Sequence, residues 1–178
     1  MHLNDTYGQR TAKGEVTFIR LLPGPLERVW SYFVESDKRA KWLASGPLEP
    51  RVGGRIDFHF RQGDLSEEKN PPPVYAHLEE GTHVPGIVTR CKPPGLFSFT
   101  WGTEKASSEV IVRLAAVDRQ VRLVLTHRRL AGVSDERNVA GGWHVHLDFL
   151  LALLEGAPPP LYWTELQRVK AEYAELYS

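Results

Sequence analysis

The sequence predicts a single α+β domain, and three observations carry that prediction. Several strand-like segments follow one another across short breaks, which argues for an antiparallel meander rather than a parallel, doubly wound sheet. A strand near the start runs directly into two short helical segments. Near the end, residues 141–156, GGWHVHLDFLLALLEG, form a helix that is apolar on more than one face. It is too short and too polar to cross a bilayer, which takes about 20 apolar residues. Trp143, Leu147, Leu150, Leu151 and Leu154 make one stripe at helical spacing, and Val145, Phe149 and Leu153 make a second. Such a helix has to be enclosed by the rest of the chain.

The elements follow in order. Residues 15–22, EVTFIRLL, are rich in β-branched and large apolar side chains and stop at Pro23, Gly24 and Pro25. In the segment PLERVWSYFVES that follows, Leu26, Val29, Trp30 and Phe33 share one helical face. DKRAKWL reads as a second short helix with Trp42 turned inward. Gly53 and Gly54 break the chain before RIDFHFR, where Ile56, Phe58 and Phe60 alternate with Asp57, His59 and Arg61 as in a half-buried strand. Residues 62–82 are polar, carry Pro71, Pro72 and Pro73, and read as a long loop with one helical turn around YAHLEE. Four strands are expected next, in PGIVTRCK, LFSFTW, EVIVRLAAV and QVRLVLTHRRL. Residues 131–137 read as a loop with Ser134 and Asp135 as caps for the long helix. The helix ends at Gly156 and Pro158 to Pro160. The tail, from residue 157 to 178, forms an amphipathic helix with Tyr162, Leu166, Val169, Tyr173 and Leu176 on one face. It is the expected cover for the second stripe of the long helix, from the same subunit or a partner.

Composition narrows the function classes. A chain of 178 residues buries roughly 70% of its unfolded surface, enough for a core or a cavity. Lys plus Arg and Asp plus Glu both number 22, which gives no electrostatic reason to expect nucleic acid or an anionic membrane as partner. Cys91 is the only cysteine, so the reading is a reducing cytoplasm with no internal disulfide and no cysteine-based metal cluster. Residues 1–14 are polar, lack an apolar targeting core, and read as a flexible leader.

Taken together, PLERVWSYFVESDKRAKWL, VGGRIDF, PPGLFSFTW, VRLVLTHRRL and GGWHVHLDFLLALLEG resemble, in that order, the SRPBCC or START-like helix-grip superfamily. Within it they are most similar to the branch related to the C-terminal domain of the activator of the heat-shock protein 90 ATPase. The resemblance spans about residues 15–156. It implies a curved antiparallel sheet of about six to seven strands wrapped around the long helix, with a cavity between them for an apolar ligand. The eukaryotic co-chaperone carries a separate N-terminal domain for which this chain has no room, so chaperone activation is disfavoured.

Candidate chemistry is sparse. No nucleophile motif, P-loop, dinucleotide fingerprint or paired-cysteine site occurs, and neither a cofactor nor a metal is expected. His144 and His146 sit roughly 200° apart on a helix and cannot chelate one ion. His144 and Asp148 read as a surface pair, and His59 as solvated. His127 shares parity with Val121, Leu123 and Leu125, so it points inward as a hydrogen-bonded structural group or as the polar group that orients a ligand. Gly141 and Gly142 allow a close approach or mark a kink beside the cavity mouth. If the helix-grip arrangement holds, the cavity lining comes from Trp30, Phe33, Trp42, Phe58, Phe60, Phe97, Phe99, Trp101, His127, Trp143 and Leu147.

The leading expectation is a non-enzymatic binding protein for a small apolar or aromatic molecule or a lipid. One alternative is a cyclase or hydrolase-like enzyme using His127. Another is a co-chaperone-like or stress-response interaction module. Self-association as a homodimer through the long and tail helices is also allowed.

Overall fold

A computed structural model describes residues 2–178. Its strands are β1 (Gln9–Ala12), β2 (Glu15–Pro23), β3 (Arg55–Phe60), β4 (Thr82–Lys92), β5 (Leu96–Trp101), β6 (Ser108–Val117) and β7 (Gln120–Arg128). They form one antiparallel seven-stranded sheet in the order β1-β2-β7-β6-β5-β4-β3. The helices are α1 (Leu26–Val34), α2 (Ser36–Arg39), α3 (Val133–Glu155) and α4 (Tyr162–Leu176). This is the helix-grip arrangement that the resemblance implied.

Alternation builds the sheet. In β2 the side chains of Val16, Phe18, Arg20 and Leu22 are buried, and in β7 those of Val121, Leu123, Leu125 and His127. Val16 pairs directly with His127, and Phe18 with Leu125. Both apolar rows therefore face the same side, where α3 lies. Arg39 closes the turn between the short helices and β3. Its guanidinium donates to the carbonyls of Phe33, Ala44 and Gly46 and lies over the Phe58 ring. Burial lowers its pKa to about 10, so it remains charged at neutral pH while serving buried carbonyls.

Three elements differ from the sequence reading. The leader is held rather than frayed. Asn4 bridges both backbone groups of Leu21 with its side-chain amide, and Gln9–Ala12 pairs with β2. Local pattern could not show this, because the partners are Leu21 and the remote residues Tyr173 and Tyr177, which bond the Gly8 backbone. Helix α3 starts at Val133, so Ser134 and Asp135 lie inside its first turn and Gly132 takes the cap position. Asp135 and Glu136 there suit the positive end of the helix dipole, and Glu136 also accepts the Gly14 N–H at 2.7 Å. Strand β4 begins at Thr82 and runs through Pro85 and Gly86. Its first half pairs with β3 and its second half with β5. Pro85 sits where the ladder to β5 has not yet begun, so its missing N–H breaks nothing there.

Helix α4 covers α3 within the same chain. Tyr173 bonds His144, and Tyr162 packs on Phe149 and His146. The Gly141 pair reading resolves here as well. A Cβ at Gly141 would stand 2.7 Å from the Lys170 side chain, so the close approach is to α4 rather than to the sheet. Gly156 ends α3 with φ at 70°, a left-handed cap that glycine adopts without strain. Among the described residues, no helix is long and apolar enough to cross a membrane.

Candidate functional site

A cavity of about 220 Å³ lies between the sheet and α3, closed on one side by α4. The sheet contributes Phe60, Thr82, Val84, Trp101 and His127. Helix α3 contributes Asn138, Val139, Gly142, Trp143 and His146, and α4 contributes Tyr162, Leu166 and Lys170. Leu43, Gln62, Tyr75 and Leu78 complete it from the connecting segments.

Of the residues expected to line a cavity, Phe60, Trp101, His127 and Trp143 do so. The other seven stand away from it: Phe33, Trp42, Phe58, Phe97, Phe99 and Leu147 in the buried interior, and Trp30 half-buried against it. Phe58 stacks behind Trp101, Phe97 packs edge-on against Trp30, and Phe33 against Trp42, while Phe99 and Leu147 are buried. Parity gave the correct side for these residues. The cavity occupies only the end of the sheet–helix interface nearest α4, which parity cannot locate.

His127 is fully engaged. The Trp143 indole N–H donates to its Nδ1 at 3.1 Å, so Nε2 carries the proton and faces Ser108 Oγ at 2.8 Å. Burial lowers its pKa to about 3, which keeps the ring neutral. His146 is the polar group the sequence reading missed. Its Nδ1 donates to the Trp42 carbonyl at 2.7 Å, leaving the Nε2 lone pair toward the Tyr162 hydroxyl at 3.4 Å. Burial lowers its pKa to about 4 and raises that of Tyr162. Gln62 Oε1 is buried and accepts no hydrogen bond. A signal for His146 did exist: Val139, Gly142 and His146 lie three or four residues from Trp143 or from one another, on the helix face that Trp143 marks.

Three side chains meet at the rim. Lys170 Nζ donates to Asn138 Oδ1 at 2.8 Å and lies 5.0 Å from the centre of the Tyr75 ring. Tyr75 stacks on Trp163 in turn. The long loop thus borders the site, as loops in compact domains often do.

His144 and Asp148 are not a surface pair. His144 is buried under α4, with Nε2 3.6 Å from Asp148 Oδ2, and Arg20 faces the pair from β2. Burial lowers the His144 pKa to about 4 and raises that of Asp148 to about 7. Cys91 Sγ lies against the Pro50 carbonyl, and burial raises its pKa.

The fold and the cavity together define an SRPBCC-type helix-grip domain. The chain belongs to the family described as Activator of Hsp90 ATPase homolog 1-like protein, whose sequence pattern matches residues 23–155. It is similar to a Bordetella parapertussis protein solved by solution NMR, with 40% identity over 98% of this chain and 92% of that one and a TM-score of 0.82. CalU16 from Micromonospora echinospora shares 22% identity over 92% of this chain and 88% of its own, at a TM-score of 0.67. The Aha1 dimer from Colwellia psychrerythraea shares 18% over 79% and 96%, at 0.61. The last two likenesses concern the fold alone. No curated protein matches the chain.

Proposed function

We propose that the protein holds a small, flat aromatic molecule bearing a hydrogen-bond donor in this cavity and releases it unchanged. One observation carries the reading: Gln62 Oε1 is an unpartnered buried acceptor in a cavity walled by Phe60, Trp101, Trp143 and Tyr162. A buried acceptor left unpaired costs about 1–3 kcal/mol, which a ligand N–H or O–H would recover. Aromatic walls favour a flat partner.

Size limits the ligand. About 220 Å³ is room for roughly seven waters and lies below the usual range of drug-sized sites, which begins near 300 Å³. That suits a one- or two-ring molecule and argues against a long-chain lipid. Binding is favoured over turnover because both His127 nitrogens are engaged and His146, near 4, is a poor base at neutral pH. A partner-binding role has less support, because the exposed large apolar residues Val52, Val74, Val117, Val133, Leu161 and Leu176 lie on six separate segments. A cytoplasmic setting rests on the lone cysteine and belongs to the same proposal.

The test is two-dimensional NMR of the full chain with a library of phenols, anilines, indoles and fatty acids. Ring compounds with a donor should shift the Trp101 and Trp143 indole signals, and fatty acids should not. If no compound shifts them, or if a Gly142→Phe variant that plugs the cavity responds like the parent, the reading is wrong.

A further inference from the structure

We propose that Asp57, His59 and His83 form a binding site for a borderline divalent transition-metal ion of the zinc class, on the outer face of the β3–β4 hairpin. The geometry follows from strand pairing. Asp57 and His59 are two apart on β3 and project from one face, opposite to Ile56, Phe58 and Phe60. His83 on β4 pairs directly with His59, so the cross-strand neighbours sit side by side, with ring centroids 4.1 Å apart.

One ligand atom from each of the three lies within 4.8 Å of those of the other two. Asp57 Oδ2 is 3.1 Å from His59 Nε2 and 3.9 Å from His83 Nδ1. These separations bracket the ~3.3 Å between ligand atoms in a tetrahedral site with ~2.0 Å bonds. Asp57 Oδ1 is shielded from solvent and accepts no hydrogen bond. Among the described residues no Lys or Arg pairs with this carboxylate, and its Oδ2 faces the two imidazoles. A cation between the three side chains would meet Asp57 Oδ2, the oxygen that faces both rings, and would balance a carboxylate that no Lys or Arg balances.

The donor set selects the ion. Two imidazoles and one carboxylate suit zinc and its first-row neighbours, whereas calcium and magnesium take oxygen ligands. Three protein ligands leave a position open to solvent. The backbone is fixed from the outer edge, because the Asp57 and His59 N–H groups donate to Pro47 and Ser45 at 3.0 and 2.9 Å. Thr82, Val84 and Phe60 on the same strands face the cavity, so a bound ion would staple the hairpin that walls it from the far side. The site does not depend on the cavity being occupied.

The test is calorimetric titration of zinc chloride into the full chain, free of any affinity tag, with cobalt(II) absorption as a second readout. The parent and His77→Ala, a control on an exposed turn outside the triad, should bind one ion per chain. His83→Ala and Asp57→Asn should bind it roughly tenfold or more weakly and lose the cobalt band. His83 is mostly exposed, with 66% of its side chain accessible, and a dispersed NMR spectrum of that variant shows that the fold survives. If zinc binds with no such loss in the two triad variants, or if the parent takes up no ion at a single site, the proposal is overturned.

Discussion

Trp143 donates its indole N–H to His127 Nδ1 at 3.1 Å, tying α3 to β7 at the cavity wall. The bond settles the tautomer of a histidine whose inward direction was readable but whose role was not. Removing the donor leaves a buried acceptor unpaired. Trp143→Phe should lower stability by about 1–3 kcal/mol beyond the packing loss. The specific signature is in the imidazole nitrogen shifts of His127, which should leave the single-tautomer pattern of the parent. An unchanged pattern would contradict the assignment.

Gly142 faces the cavity, and a Cβ built there meets nothing within 4 Å. Alanine should therefore fit without a clash and raise stability by up to about 1 kcal/mol through helix propensity. Phenylalanine should occupy the cavity, keep the fold and abolish ligand-induced NMR shifts. Thermal melts of the two variants beside the parent check both statements.

Tyr173 accepts the Gly8 N–H at 2.7 Å and donates to His144 Nδ1 at 2.9 Å, so one hydroxyl joins leader, long helix and tail. Tyr173→Phe leaves both partners without it. A loss of about 1–3 kcal/mol is expected. Amide hydrogen exchange should show Gln9–Ala12 losing protection before the central strands β6 and β7. Equal loss across the sheet would mean that the leader is held by other contacts.

Acidification should destabilise the fold. Burial holds His144 and His146 at about 4 and His127 at about 3, all below the ordinary 6.5. Between those values and 6.5 the unfolded chain binds more protons than the folded one, so stability falls as pH drops through that window. Each titrating imidazole contributes up to about 1.4 kcal/mol per pH unit. Asp148 acts in the opposite sense. Its pKa is raised from 3.8 to about 7, so it favours the folded state increasingly as pH falls from 7 to 4. Arg20, Arg168 and Glu165 act on both groups, Glu172 on His144 and Asp5 on Asp148. Three imidazoles outweigh one carboxyl, and the melting temperature should drop from pH 6.5 to 4. Asp148→Asn should steepen that drop and stabilise the protein at pH 8. A melting temperature flat across the acid range would contradict the burial of these rings.

The sequence by itself determined the element order from β2 to α4, the core-facing rows and the need to enclose residues 141–156. Periods of 2 and 3.6 state which face of an element is apolar, and two apolar stripes on one helix demand two covers. The inward direction of His127 was legible for the same reason. Only the tertiary structure decided where the packing stops short of filling space, which is why Phe60, Trp101, His127 and Trp143 border the cavity while Phe58, Phe97 and Phe99, of like parity, stand in the core. It also decided the partners of polar groups far apart in the chain: Tyr173 with His144 and Gly8, Tyr162 with His146, and His83 with His59. Burial alone turned the expected surface pair His144–Asp148 into a shielded one. A local pattern records the side a residue takes, but register and helix docking, which involve residues remote in sequence, set what it meets there.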